Sequence, residues 1–142
     1  MPVRSAYGRT IDDQFRILLP KEIFDDWGGS ILFLWYSQDA DLVRLAGEKS
    51  LENVLAPYGI NLRDISALAS WHQITCPPPP RSRFTIPAQL RGAFNPGQYI
   101  HLLKMEWYLT LQEKPSPPDE IDIDRFLLEV IGAVPVSIRK TS

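Results

Sequence analysis

The chain has 142 residues, 44% hydrophobic and 23% charged, and its 15 basic and 17 acidic side chains give a formal charge of −2. That length suits one compact domain with a substantial core, and the charge balance speaks against an indiscriminate polyanion binder. A single cysteine, Cys76, excludes an intramolecular disulfide and an all-cysteine metal site.

The first ten residues, MPVRSAYGRT, carry no apolar signal segment, so the expectation is a cytoplasmic protein. A short strand is predicted over 15–19, ended by Pro20, whose fixed φ and missing N–H suit the start of a helix. Ile23, Phe24 and Trp27 then share one helical side, and Gly28-Gly29 closes it. Apolar runs at 31–36 and 42–45 flank the polar turn SQDAD and predict a hairpin. The longer of them, ILFLWY, has the length of a strand, far short of a membrane span, so no membrane partner is expected. Leu51, Val54, Leu55 and Tyr58 form one helical stripe, and Leu62, Ile65, Leu68 and Ala69 form another beyond Pro57 and Gly59. Four prolines at 77–80 make a stiff approach to the next strand; a ligand for an SH3-type domain is the weaker alternative. A strand at 83–86, a helix at 87–94, the turn Asn95-Pro96-Gly97 and a hairpin of 98–103 with 107–111 complete the predicted body. The segment EKPSPPD reads as a linker. Beyond it lies a short amphipathic helix over 122–131, with Ile123, Phe126, Leu127 and Val130 on one face.

One order of elements therefore occurs twice. FRILLPKEIFDDW and SRFTIPAQLRGAF lie 67 positions apart, matching Arg16 with Arg83, Pro20 with Pro87 and Trp27 with Phe94. Such self-similarity governs the architecture. The predicted organisation is a first repeat at 1–47, a helical connection at 48–76, a second repeat at 77–114, and a linker, helix and tail at 115–142. The fold class is α+β, two β-rich repeats forming a pseudo-symmetric, barrel-like domain with intervening helices.

Catalytic constellations are sparse. His72 and His101 have no neighbouring ligand at metal spacing, so no metal site is predicted. Cys76 would need a histidine beside it to act as a nucleophile, and a structural thiol is the better reading. No phosphate-cradling glycine loop or nucleophile elbow appears, so neither a cofactor nor an enzyme is expected. The arginines are the better lead. Arg4, Arg9, Arg16, Arg81 and Arg83 stand at or just before predicted strands, and arginine is suited to bidentate contact with phosphate and guanine. For Arg16 a competing role is pairing with Asp12 or Asp13 to pin a turn. Charge is also segregated: residues 77–104 hold four bases and no acid, whereas 115–129 hold five acids against Arg125.

The spacing Arg4, then Asp12-x-x-x-Arg16-x-x-x-Pro20 followed by helix and hairpin, resembles the MraZ family of the AbrB/MazE/SpoVT-like superfamily. The resemblance covers roughly residues 1–111. It implies an oligomeric, sequence-specific DNA-binding transcriptional regulator that assembles into rings on promoter repeats of the division and cell-wall gene cluster, with nucleoid association. It implies DNA contacts from Arg4, Arg16 and Arg83 and their basic neighbours Arg9 and Arg81. The chain has Phe15 and Ser82 where the family has glycine before the motif arginine, and Pro79 where the second copy's aspartate belongs. The alternative is a protein-interaction module, antitoxin-like or an oligomeric scaffold. In that reading Ile123, Phe126, Leu127 and Val130 of the acidic C-terminal segment lie in a partner's groove.

Overall fold

The computed structural model describes residues 5–37, 42–66, 71–114 and 121–133. Its elements are β1 (Ser5–Thr10), β2 (Arg16–Leu18), α1 (Lys21–Trp27), β3 (Ile31–Ser37), β4 (Leu42–Gly47), α2 (Glu48–Leu55), α3 (Leu62–Ser66), β5 (Trp71–Thr75), β6 (Arg83–Thr85), β7 (Tyr99–Lys104), β8 (Leu109–Gln112) and α4 (Ile121–Ala133), with 3₁₀ turns at Ala56–Tyr58 and Ala88–Ala93. Six strands form one antiparallel sheet in the order β1-β7-β8-β4-β3-β5, and β2 pairs with β6 in a separate two-stranded ribbon. The fold is thus α+β, as the patterns predict. The sheet is open, with β1 and β5 at its edges, and does not close into the predicted barrel.

Why β3 reads as an unbroken apolar run follows from its place. Leu32 and Leu34 face an inner core with Ile17, Trp27, Phe84 and Leu102, while Phe33 and Trp35 face an outer core with Leu51, Trp71, Trp107 and Phe126. A strand covered on both faces has no polar side to alternate with. The inner face is covered by the β2–β6 ribbon, α1 and the 3₁₀ segment Ala88–Ala93; the outer face is covered by α2 and α4.

The structure departs from the predicted elements in four places. The edge strands β1 and β5 were not anticipated, because SAYGRT and WHQIT mix polar and apolar residues without a clean period and gain their pairing from β7 and β3. Pro20 is the N-cap of α1, at ψ 139°, one position before the helix proper. The helix predicted after Pro87 is a 3₁₀ segment. Trp107 and Tyr108 belong to the β7–β8 turn, where the Met105 N–H donates to the Tyr108 carbonyl at 2.8 Å, and β8 starts only at Leu109.

The largest correction concerns the C-terminal helix. Phe126 and Val130 are 1% and 0% exposed, Ile123 and Leu127 are half-buried against the same cluster, and all of them pack on the chain's own sheet. The Phe126 ring stacks on Trp107 with centroids 5.0 Å apart and 4° between planes, and meets Tyr108 edge-on at 4.9 Å. A buried ion pair fixes the register of the helix. Arg44, in the middle of β4, is fully enclosed; its Nη2 pairs with Asp122 Oδ1 and its Nε donates to Asp122 Oδ2 at 3.3 Å. Tyr108 also donates to Asp122, and two turns further along Glu129 accepts from Trp35 Nε1 at 2.9 Å and from Ser37 Oγ at 2.5 Å. Burial, followed by the hydrogen bond to Asp122, pushes the Tyr108 hydroxyl pKa up, so it stays a donor. Residues 115–120, which hold most of the predicted linker, lie outside the described residues.

Candidate nucleic-acid interface

In the ribbon the two copies of the sequence pattern pair directly, strand to strand. Arg16 stands opposite Thr85, Ile17 opposite Phe84, and Leu18 opposite Arg83. In an antiparallel pair, opposite residues point to the same side and successive ones alternate. Ile17 and Phe84 are both fully buried, so Arg16, Leu18, Thr85 and Arg83 face outward. The two motif arginines occupy diagonal corners of that face, a separation of roughly 7–8 Å between backbones. Ribbon pairing continues one step further: the Leu19 N–H donates to the Ser82 carbonyl at 2.7 Å, and Ser82 Oγ donates back to the Leu19 carbonyl at 3.0 Å.

The two corners differ in charge. Arg16 Nε donates to Asp12 Oδ2 at 2.8 Å, and Asp12 Oδ1 accepts the N–H groups of Arg16 and Gln14, each at 2.9 Å. Desolvation, the largest single influence, opposes it, but these hydrogen bonds and the Arg16 charge together hold the Asp12 carboxyl below its usual range. The turn-pinning role weighed for Arg16 is therefore present in the structure. The turn also explains the glycine position: Phe15 has φ 58°, in the left-handed region where a non-glycine residue costs about 1–2 kcal/mol. Its ring is retained in the inner core, with the Arg91 guanidinium 4.9 Å from its centre.

Arg83 is exposed and makes no side-chain hydrogen bond or ion pair among the described residues; the same holds for Arg81, in the bend before it. Arg9 is half-buried and acts as a brace, its Nε donating to the Leu18 carbonyl at 3.0 Å and its Nη1 to the Gly8 carbonyl at 2.8 Å. At the opposite end of the ribbon Arg91 Nε donates to the Ile86 carbonyl at 3.0 Å. Arg91 was not among the predicted site residues. Its position four residues after Pro87 on an otherwise uncharged segment was the available signal, but the carbonyl that orients it is visible only in the fold. Arg4 lies outside the described residues. The structure thus brings Arg9, Arg16, Arg83 and Arg91 to the edges and face of one ribbon, with Arg81 adjacent in sequence.

The other candidates lead elsewhere. Cys76 is fully buried, its thiol donates to the Pro77 carbonyl at 3.6 Å, and burial pushes its pKa up to about 11, which suits a structural thiol. His101 lies edge-on to Tyr99 at 5.3 Å. Among the described residues no group of three or more His, Cys, Asp or Glu side chains is placed to hold a metal ion, and no helix is long and apolar enough to cross a membrane. The apolar face offered to a partner, Phe126 and Val130 with Ile123 and Leu127, is already occupied by the chain's own aromatic cluster. Comparison with protein-family models and with curated proteins finds no match to this chain.

Proposed function

We propose that this protein is a DNA-binding transcriptional regulator of the kind its MraZ-like motifs imply, built from two pseudo-symmetric repeats and presenting the β2–β6 ribbon to a duplex. The observation that carries the reading is the pairing of the two motif strands, which sets Arg16 and Arg83 on one outward face. An exposed two-stranded ribbon can enter the major groove of B-DNA, and arginine is the side chain that reads guanine there.

Repeat equivalence draws support from the strand order. With β1 to β4 matched to β5 to β8, the order β1-β7-β8-β4-β3-β5 reads the same from either end. The Ile11 N–H donates to the Gln98 carbonyl where the matching Cys76 N–H donates to the Ser30 carbonyl. The Leu34–Leu45 pair of one hairpin corresponds to the Leu102–Leu111 pair of the other.

A single ribbon offers few phosphate contacts, so useful affinity requires several subunits on repeated sites, and a homo-oligomer is part of the proposal. The apolar runs ILFLWY and Trp107-Tyr108 give no separate reason for assembly, since the two cores enclose them within the chain. An enzymatic role forms no part of the proposal.

The test is fluorescence anisotropy on a duplex selected from a random-sequence pool, at low salt. Arg83→Ala should weaken binding by about 1–3 kcal/mol if the side chain reads a base edge. A phosphate contact should instead weaken binding to all duplexes and lower the salt slope by about one. No duplex binding by the wild-type chain, or equal binding by Arg83→Ala, would rule the proposal out.

A further inference from the structure

We propose that the two ends of the ribbon make different contacts with the duplex: Arg16, oriented by Asp12 as a positioning residue, reads a base edge, while Arg83 with Arg81 holds a backbone phosphate. The inference rests on the DNA reading of the preceding subsection and divides that one face into a selective end and an electrostatic end.

At the Arg16 end the guanidinium is held. Asp12 Oδ1 accepts the N–H groups of Gln14 and Arg16, which fixes the carboxylate to the turn, and Oδ2 then takes Arg16 Nε at 2.8 Å. The Arg16 side chain remains 42% exposed. Its two Nη groups make no hydrogen bond among the described residues, so the fork that guanine O6 and N7 accept is left open. An arginine already confined in this way loses less side-chain entropy on docking and keeps its plane aligned. Formal charge at this end cancels. Asp12 and the exposed Asp13 offset Arg16 and Arg91, and Arg91 is itself turned to the Ile86 carbonyl at 3.0 Å. A corner without net charge has little pull on phosphate, and Asp13 repels it.

The other end lies two residues along the ribbon, about 7 Å away. Arg83 stands there opposite Leu18, with Arg81 just before it and Arg9 braced on the Leu18 carbonyl at 3.0 Å. Residues 77–85 contain no acid, and among the described residues no carboxylate pairs with any of these three arginines. Arg81 and Arg83 are exposed, and no side-chain hydrogen bond sets the plane of either guanidinium. An unaligned cation serves a phosphate, which demands charge, better than a base edge, which demands direction. The asymmetry follows from one residue: Asp12 precedes Arg16 by four positions, and Pro79 precedes Arg83 by the same spacing.

The experiment measures the affinity of the full chain for the selected duplex and for a scrambled one, each across a range of salt concentrations. Arg16→Lys keeps the charge and loses the fork. It should lower the selected-to-scrambled affinity ratio by at least about tenfold and leave the salt slope unchanged. Asp12→Asn retains an oxygen for the two backbone N–H groups. It should lower the same ratio by at least about threefold, while binding to the scrambled duplex holds or rises because a negative charge has gone. Arg83→Lys should keep the ratio within about twofold, and Arg83→Gln should weaken binding to both duplexes equally and lower the salt slope by about one. All four changes lie on the surface, and circular dichroism checks that each variant is folded. A ratio that survives Arg16→Lys or Asp12→Asn would overturn the proposal, as would an Arg83→Lys variant that loses selectivity as Arg16→Lys does. A wild-type chain that binds no duplex refutes the DNA reading and this inference with it. A wild type that binds selectively, with both arginines behaving alike, refutes the division of roles alone.

Discussion

Replacing Asp122 with asparagine removes one charge and almost no volume, and the structure allows the cost to be reasoned through. Asp122 is 5% exposed, and its partner Arg44 is 1% exposed. Breaking a buried pair by neutralising one member leaves an uncompensated charge in the core and typically costs about 3–5 kcal/mol. Three features move the expectation toward the lower end. Glu129 lies 3.9 Å from Arg44 Nη1, Ser37 Oγ still accepts from that nitrogen, and the guanidinium sits 4.5 Å over the Phe126 ring. Tyr108 can donate to the asparagine carbonyl, so no hydroxyl is orphaned. A loss of about 3 kcal/mol is expected, a large fraction of a domain stability of about 5–15 kcal/mol. Urea unfolding followed by far-UV circular dichroism and tryptophan fluorescence measures it. The companion is the charge-free Arg44→Met, Asp122→Leu, Tyr108→Phe triple variant, which should recover most of the loss because packed apolar groups of similar volume replace a buried pair at little cost. A loss below about 1 kcal/mol for Asp122→Asn would refute the reasoning, since surface pairs lie in that range. So would a triple variant no more stable than the single one.

Gly47→Ala should destabilise by about 1–3 kcal/mol, because the new Cβ would meet the buried Trp27 side chain at 2.7 Å; thermal unfolding of the purified variant checks it. The Asp12 turn should show a pH signature. The folded-state pKa of Asp12 is lowered, so its contribution is present above the usual carboxylate pKa of about 4 and is lost as pH falls through the folded value. The Tm gap between wild type and Asp12→Asn should therefore narrow from pH 7 to about pH 2–3, and a gap independent of pH would contradict the assignment.

Much of the architecture was legible because both hairpins and both proline-terminated strands are written in local chemistry. Runs such as 31–36 and 98–103 have strand length and strand composition, and Pro20 and Pro87 end what precedes them wherever the chain goes next. The stripe at Leu51 and Leu55 likewise specifies a helix with one buried face. SAYGRT and WHQIT were not legible, since an edge strand draws its hydrogen bonds from a neighbour distant in sequence. The destination of the C-terminal helix was ambiguous in kind. An amphipathic face specifies burial but not the surface that buries it, and the same four apolar residues fit the chain's own sheet or a partner. Arg44, alone among apolar neighbours in LVRLAG, was an unread signal that a carboxylate had to come from elsewhere.

The arginines divide along the same line. Sequence alone matches Arg16 with Arg83 in the two copies of one local pattern, and shows that only Arg16 has an acid within helical or turn reach. Tertiary structure decided that the two strands pair with each other. It thereby set both guanidinium groups on one face, assigned Arg9 and Arg91 to backbone carbonyls at the ribbon's ends, and left Arg83 without a side-chain partner among the described residues. Local pattern records what each residue prefers to bury. Register between distant strands, set by which inward faces must meet in one core, decides which side chains then share the surface.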